Sequence, residues 1–218
     1  MKIDRHGKAK LLTHEELRIL FSECFTSPRD RALFGIMLYT ACRVNEAVTL
    51  KTIDVYYKSG KVRPELIIRK GNTKGKLATR TIPVVEELRL LLKDYTPDYP
   101  TGYLFPRQFG RREYLNPESV SWIFREACKR ADIEGASTHS FRRTALTHMS
   151  NQLIPLRVIQ EVSGHRTLDE LYKYLEVSPE QVRGAVSSLS MLSPIDPPGF
   201  NKPGYPEATE HQVGSTLD

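Results

Sequence analysis

Hydrophobic residues recur at helical spacing over most of the chain. A capping box of Thr13 and Glu16 predicts the start of one helix, and Ser27 followed by Pro28 predicts the start of a second. Further helical patterns cover V-V-E-E-L-R-L-L-L-K-D-Y and N-P-E-S-V-S-W-I-F-R-E-A-C-K-R-A. The second helix, with its run A-L-F-G-I-M-L-Y, is apolar on nearly all sides, so we expect it at the centre of the core.

The spacing of hydrophobic residues changes from helical to strand-like in residues 52–84. The runs T-I-D-V-Y-Y, V-R-P-E-L-I-I-R and A-T-R-T-I-P-V are β-rich or alternating, and the turn signals K-S-G-K and K-G-N-T-K-G-K separate them. This pattern predicts three antiparallel strands in one small sheet. With helical segments on both sides, the expected fold class is α+β and mainly helical.

The two ends of the chain differ in composition from the middle. Residues 1–10 are basic and predicted to be loose, while residues 193–218 are rich in Pro and Gly, lack periodicity and are predicted to be disordered. One folded domain is therefore expected over residues 11–192. Its last predicted helix starts at Ser178-Pro179 and carries a short apolar stripe, which must pack either on this molecule or on a neighbouring copy.

Composition narrows the class of protein. The net charge of +6 suits a nucleic acid or another polyanion as partner, although it is equally compatible with a merely basic protein. Cys24, Cys42 and Cys128 are widely spaced and are expected to be reduced, buried thiols. The sequence has neither an apolar signal core nor a run of ~20 apolar residues, so we expect a cytoplasmic protein with no membrane partner.

The candidate chemistry lies between residues 138 and 175. His139 and Arg142 are three positions apart in a helical pattern, so their side chains share one face. Gly164 ends an apolar helical run like a C-cap, which places His165 in a turn, and Tyr174 follows nine residues later on a short helical run. Arginine, histidine and tyrosine without a carboxylate cluster favour chemistry on a phosphate.

A further arginine stands in the apolar segment T-A-C-R-V-N-E-A-V. A buried guanidinium needs an anionic partner, and Glu46 lies three residues after Arg43. Glu46 could supply that partner when no ligand is bound. The alternative is an ordinary structural Arg–Glu pair.

These motifs together resemble those of the tyrosine recombinases, the family of phage integrases and Xer-type resolvases. The segment A-C-R-V-N-E, a lysine-bearing hairpin, H-x-x-R, G-H and a tyrosine occur in the family's order over residues 11–190. The resemblance implies that the catalytic residues are Arg43, Lys74, His139, Arg142, His165 and Tyr174, with Glu46 as a supporting carboxylate. For the hairpin lysine, Lys70 and Lys76 remain alternatives to Lys74.

The resemblance also implies a reaction. Two arginines would hold a phosphodiester of double-stranded DNA, His139 would take the tyrosine proton, His165 would hydrogen-bond the phosphate, and a lysine would protonate the leaving 5′ oxygen. The product would be a 3′-phosphotyrosyl link, formed without ATP, cofactor or metal ion. The protein would also assemble into dimers or tetramers on the DNA. Tyr172 is the rival nucleophile to Tyr174, but two residues on a helix differ by roughly 200°, so only one can face the site.

Members of the family usually carry a further N-terminal helical domain that clamps the DNA, whereas this chain begins almost at the catalytic motifs. The sequence is therefore compatible with three functions. The first is a site-specific recombinase or integrase of a mobile element. The second is a noncatalytic DNA-binding regulator or relic, and the third is relaxation of DNA in the manner of a type IB topoisomerase.

Overall fold

The computed structural model describes residues 8–69, 71, 78–97, 100–107, 110–177 and 179–189. The chain divides after Glu176 into two units, Met1–Glu176 and Val177–Asp218. The first unit contains α1 (His14–Ile19), α2 (Pro28–Tyr39), α3 (Val44–Val48), β1 (Glu65–Ile68), β2 (Arg80–Pro83), α4 (Glu86–Asp94), β3 (Pro106–Arg107), β4 (Gly110–Tyr114), α5 (Pro117–Arg130), α6 (His139–Asn151), α7 (Leu156–Ser163) and α8 (Leu168–Tyr172). The second unit contains α9 (Pro179–Ser187). The prediction of a mainly helical fold with little sheet is confirmed.

The predicted helix starts are confirmed by their capping hydrogen bonds. The Glu16 N–H donates to Thr13 Oγ1 at 3.1 Å, and the Thr13 N–H donates to the Glu16 carboxylate at 2.9 Å. Ser27 Oγ likewise accepts from the N–H of Asp30 at the start of α2. Because each cap satisfies backbone donors that a helix leaves unpaired, the local sequence is sufficient to place these starts.

The second helix lies at the centre of the core, as predicted. It packs against α3, α4 and α6, and its residues 32–37 are all buried. Gly35 lets α4 approach closely, because a Cβ atom there would lie 2.5 Å from Leu91 Cδ1. The rings of Phe25, Phe34, Phe124 and Phe141 join the π-type turn after α1 to α2, α5 and α6, with centroids 4.4–6.5 Å apart. Buried aromatic area of this size is a main contribution to stability.

Only two of the three predicted strands form. β1 and β2 pair antiparallel with Leu66 opposite Ile82, whereas T-I-D-V-Y-Y begins with a 3-10 turn, Thr52–Asp54, and pairs only through an isolated bridge from Tyr56. The physical reason is Asp54, whose buried carboxylate accepts from the Lys51 N–H at 3.1 Å and so bends the segment into a turn. A second hairpin, β3–β4, was not predicted.

The remaining predictions concern the cysteines, membrane-spanning helices and the two ends of the chain. The three cysteines are free and buried, as expected. Within the described residues, no helix combines the length and apolar character that a membrane span needs. The predicted disordered tail, residues 193–218, lies outside the described residues, and so does most of the predicted loose N-terminus.

Candidate active site

Arg142 joins three parts of the first unit. Its side chain lies on the buried face of α6, and the residue is only 1% exposed. Nη1 donates to the carbonyl of Ala41, at the junction of α2 and α3, and Nη2 donates to the carbonyl of Ser163 at 2.9 Å. Ala41 has a φ of +50°, a left-handed conformation that is unfavourable for a residue with a Cβ atom. The arginine therefore holds a strained turn and the end of α7 together.

The turn after α7 has the predicted form. Gly164 has φ +65° and ψ +36°, and its N–H donates to the Gln160 carbonyl at 2.8 Å, so it is a left-handed C-cap. His165 follows just outside the helix and is buried. The Gln160 side chain donates to the His165 carbonyl at 3.1 Å and fixes the turn from the other side.

The hydrogen bonds of His165 define its tautomer. Arginine has no acceptor, so Nε2, 2.9 Å from Arg142 Nη2, must accept. The Ser163 hydroxyl donates to the Gln160 carbonyl at 3.2 Å, so it can accept from His165 Nδ1–H at 2.8 Å. Burial, followed by repulsion from Arg142 and then other arginines, lowers the pKa of His165 to about 3. The imidazole is therefore neutral at physiological pH and carries its proton on Nδ1.

Arg43 and Glu46 meet at the start of α3, as predicted, but the contact between their side chains is long. The Arg43 N–H donates to Glu46 Oε2 at 2.7 Å, whereas Arg43 Nη1 lies 3.5 Å from Oε1. The closer partner of Glu46 is Arg80, which donates from Nη2 to Oε2 at 2.8 Å and from Nη1 to Oε1 at 3.2 Å. Burial opposes ionisation of Glu46, but the hydrogen bonds and charge of Arg80 outweigh it and keep the pKa of Glu46 below its ordinary value.

Arg80 is a site residue that the sequence analysis missed. It lies on β2, where successive side chains point to opposite faces. Ile82, two residues later, is buried against the core. Because residues two positions apart on a strand point to the same face, Arg80 must point inward together with the buried Ile82. This alternation of strand residues is the signal that could have identified Arg80.

Tyr174, rather than Tyr172, faces the site. Its ring centroid lies 5.0 Å from the His165 ring, and Arg142 Cζ lies 5.4 Å from the Tyr174 centroid. The Thr147 hydroxyl donates to the Tyr174 carbonyl at 3.1 Å, which ties this segment to α6. The prediction that Tyr174 is helical is wrong, because α8 ends at Tyr172, whose side chain is exposed.

His139 lies at the edge of this arrangement. It is the first residue of α6 and is exposed, and it lines a cleft of about 810 Å³ together with Trp122 on α5 and Val44, the residue after Arg43. The structure thus brings five of the predicted residues into one cluster, namely Arg43, Glu46, Arg142, His165 and Tyr174. Lys70, Lys74 and Lys76 lie outside the described residues.

The cluster has an excess of positive charge. Burial, followed by repulsion from Arg43, lowers the pKa of Arg142 to about 10, so the guanidinium remains charged at neutral pH. Arg43, Arg80 and Arg142 supply three positive charges, and Glu46 supplies one negative charge. With His165 neutral, two positive charges are left uncompensated. Such a site favours an anion, and guanidinium groups match the geometry of a phosphate.

The neutral state of His165 predicts a loss of stability in mild acid. Its pKa is about 3 in the folded protein against an ordinary value of 6.5, so between these values only the unfolded chain takes up the proton. Stability should therefore fall as the pH drops below 6.5, with a slope approaching about 1.4 kcal/mol per pH unit. Urea unfolding between pH 7 and 5 measures this slope. His165→Gln, which cannot titrate, should show a shallower slope, and equal slopes would contradict the prediction.

Comparison with known proteins identifies relatives of this chain. The sequence profile of the phage integrase family matches residues 10–181. Tyrosine recombinase XerA of Pyrococcus furiosus is 31% identical over 189 residues, which cover 84% of this chain and 63% of the relative. Tyrosine recombinase XerD of Ralstonia nicotianae is 32% identical over 162 residues, covering 71% of this chain and 50% of the relative. The chain thus spans less than two thirds of the length of these relatives.

Solved structures share the fold. The crystal structure of XerA recombinase superimposes with a TM-score of 0.66 and 20% identity, covering 84% of this chain and 66% of that one. A structure of XerH site-specific recombinase bound to a palindromic difH substrate, in a post-cleavage complex, has a TM-score of 0.63 and 22% identity. It covers 86% of this chain and 55% of that one.

Proposed function

Because the chain belongs to the phage integrase family, we propose that it is a tyrosine-type site-specific recombinase that cuts and rejoins double-stranded DNA. The observation that carries the proposal is a cluster of three arginines: Arg43 and Arg80 pair with the carboxylate of Glu46, and Arg142 lies against the Tyr174 ring. Its two excess positive charges suit the charge that develops on a phosphodiester under attack.

The proposed reaction is a transesterification at phosphorus. The Tyr174 hydroxyl attacks, so that a bond forms between its oxygen and phosphorus while the bond to the 5′ oxygen breaks. His139 accepts the tyrosine proton, and Lys74, with Lys70 and Lys76 as alternatives, protonates the leaving oxygen. Attack by a strand's 5′ hydroxyl on the phosphotyrosine reverses the step, and no external energy source is needed.

Three residues would prepare the site for the phosphate. Arg142 and Arg43 would donate to the non-bridging oxygens. His165 would hold Arg142 in position, since its Nε2 accepts from Nη2. Because these groups are positioned before the substrate arrives, little reorganisation remains for the reaction itself.

The partners would be double-stranded DNA and further copies of the chain. α9 carries Val182 and Val186 on exposed positions, and no residue of this helix is buried. A stripe this short is unstable alone, so we propose that it contacts a neighbouring copy on DNA. A recombinase of this kind would act in the cytoplasm, on chromosomal DNA or on a mobile genetic element.

Trapping of a covalent complex tests the proposed function. A pool of nicked duplexes, randomised around the nick, should yield a protein–DNA band on a denaturing gel. The short fragment released by cleavage diffuses away and removes the hydroxyl needed for religation, so the intermediate accumulates. Specific binding without any band would favour the noncatalytic function. Relaxation of supercoiled DNA without strand exchange would favour the topoisomerase-like function.

A further inference from the structure

Arg80 occupies a position between the two halves of the site. From β2 its guanidinium donates to both carboxylate oxygens of Glu46, at 2.8 and 3.2 Å. Both side chains are almost fully enclosed, with 10% of Arg80 and 1% of Glu46 exposed. A two-point contact in a buried setting is the strongest form of arginine–carboxylate pairing.

This pairing limits how many hydrogen bonds the Glu46 carboxylate can accept from the Arg43 side chain. Glu46 Oε2 also accepts the Arg43 backbone N–H at 2.7 Å, so its two oxygens are already taken up by a guanidinium and an amide. The Arg43 side chain reaches only to 3.5 Å, and 20% of that side chain is exposed. Its guanidinium therefore keeps donors that a ligand can use.

The same guanidinium also lies against the turn that carries His165. A Cβ atom on Gly164 would stand 2.7 Å from Arg80 Nη1 and 3.2 Å from Cζ. Gly164 also has a φ of +65°, which glycine adopts without strain. The side chain of Arg80 thus fills the space that a larger residue at Gly164 would need, and it connects β2 to the end of α7.

We propose that Arg80 is a positioning residue that occupies Glu46 and so keeps Arg43 available to bind the phosphate. It does not need to touch the substrate. Without Arg80, the buried carboxylate of Glu46 would retain the Arg43 backbone amide and the long 3.5 Å contact from the Arg43 side chain. It would then draw that guanidinium closer, because a buried charge must be paired. The inference rests on the proposed function, because it explains how Arg43 of that same site stays available for the phosphate.

Two single variants that break the same ion pair test the inference. Arg80→Met leaves a carboxylate that captures Arg43, so the rate of covalent complex formation should fall about 100-fold, as for loss of one transition-state donor. Glu46→Gln also breaks the pair but leaves no such carboxylate, so its loss should be about tenfold smaller. The double variant Arg80→Met/Glu46→Gln should recover most of the rate lost in Arg80→Met. A merely structural ion pair would make the two single variants equally slow.

Folding and anion binding are measured separately from cleavage. Rates are compared at a temperature where thermal unfolding shows every variant folded, and Arg31→Met, which breaks a pair with Asp94 on the α2–α4 face, serves as the matched control. Inorganic sulfate should raise the melting temperature of the wild type and of the double variant. The increase for Arg80→Met should be much smaller.

The outcomes distinguish this inference from the proposed function. If the wild type binds sulfate through Arg43 but forms no covalent complex, the proposed function is wrong and the inference stands. Equal losses in both single variants, or a folded double variant with no recovery, would overturn the inference. Absence of sulfate stabilisation in the wild type would also overturn it, because no anion would then depend on Arg43.

Discussion

Tyr174→Phe should form no detectable covalent complex with nicked DNA while retaining the fold and DNA binding. The substitution removes the attacking oxygen and keeps the ring, whose centroid lies 5.0 Å from that of His165. The backbone contact from Thr147 Oγ1 to the Tyr174 carbonyl is also unaffected. We therefore expect thermal stability within about 1 kcal/mol of the wild type.

Tyr172→Phe is the matched control for this variant. Tyr172 is the last residue of α8 and its side chain is 52% exposed, so it should retain the wild-type rate of covalent complex formation. Denaturing gels measure the complex, and peptide mapping locates the nucleotide. A complex formed by Tyr174→Phe, or a nucleotide mapped to Tyr172, would show that the nucleophile has been misassigned.

Arg142→Met should abolish most of the cleavage and should also lower the free energy of unfolding. The catalytic loss should reach about 100- to 1000-fold, as for removal of one preorganised donor to the transition state. Burial and repulsion from Arg43 lower the pKa of Arg142 to about 10. Burial of the charged side chain therefore opposes folding and offsets part of what its hydrogen bonds contribute.

The hydrogen bonds that the variant loses outweigh that penalty. The Ala41 and Ser163 carbonyls and His165 Nε2 are buried, and each loses this donor at a cost of about 1–3 kcal/mol. The free energy of unfolding should therefore fall by about 2–5 kcal/mol. Urea unfolding and single-turnover cleavage measure the two effects, with Arg31→Met again as the control. A cleavage loss explained entirely by the unfolded fraction would contradict this prediction.

The structure explains why the motif residues were found and Arg80 was not. The motif residues share short segments in which spacing alone implies proximity, such as His139 with Arg142, or Gly164 with His165. Arg80 is 34 residues from Glu46 in sequence, so the ion pair exists only because the fold brings the two side chains together. For the same reason, Glu46 was assigned to the nearer Arg43, although the geometry favours the more distant arginine.

By itself, the sequence determined the elements whose stabilising contacts are local. Capping at Thr13 and Ser27, the left-handed turn at Gly164 and the apolar face of α2 each depend on residues a few positions apart, and all are present in the structure. Backbone conformation and helix periodicity are short-range properties, so one segment is enough to predict them.

Only the tertiary structure decided the electrostatics of the site. The chain leaves the helix after Tyr172, and packing of the fold brings the Tyr174 ring against Arg142. Arg80 reaches Glu46 across the fold, and His165 is neutral because its burial, followed by the charges of Arg142 and two further arginines, lowers its pKa. Charge interactions depend on distance and burial rather than on sequence separation, and both are set only when the helices and strands pack.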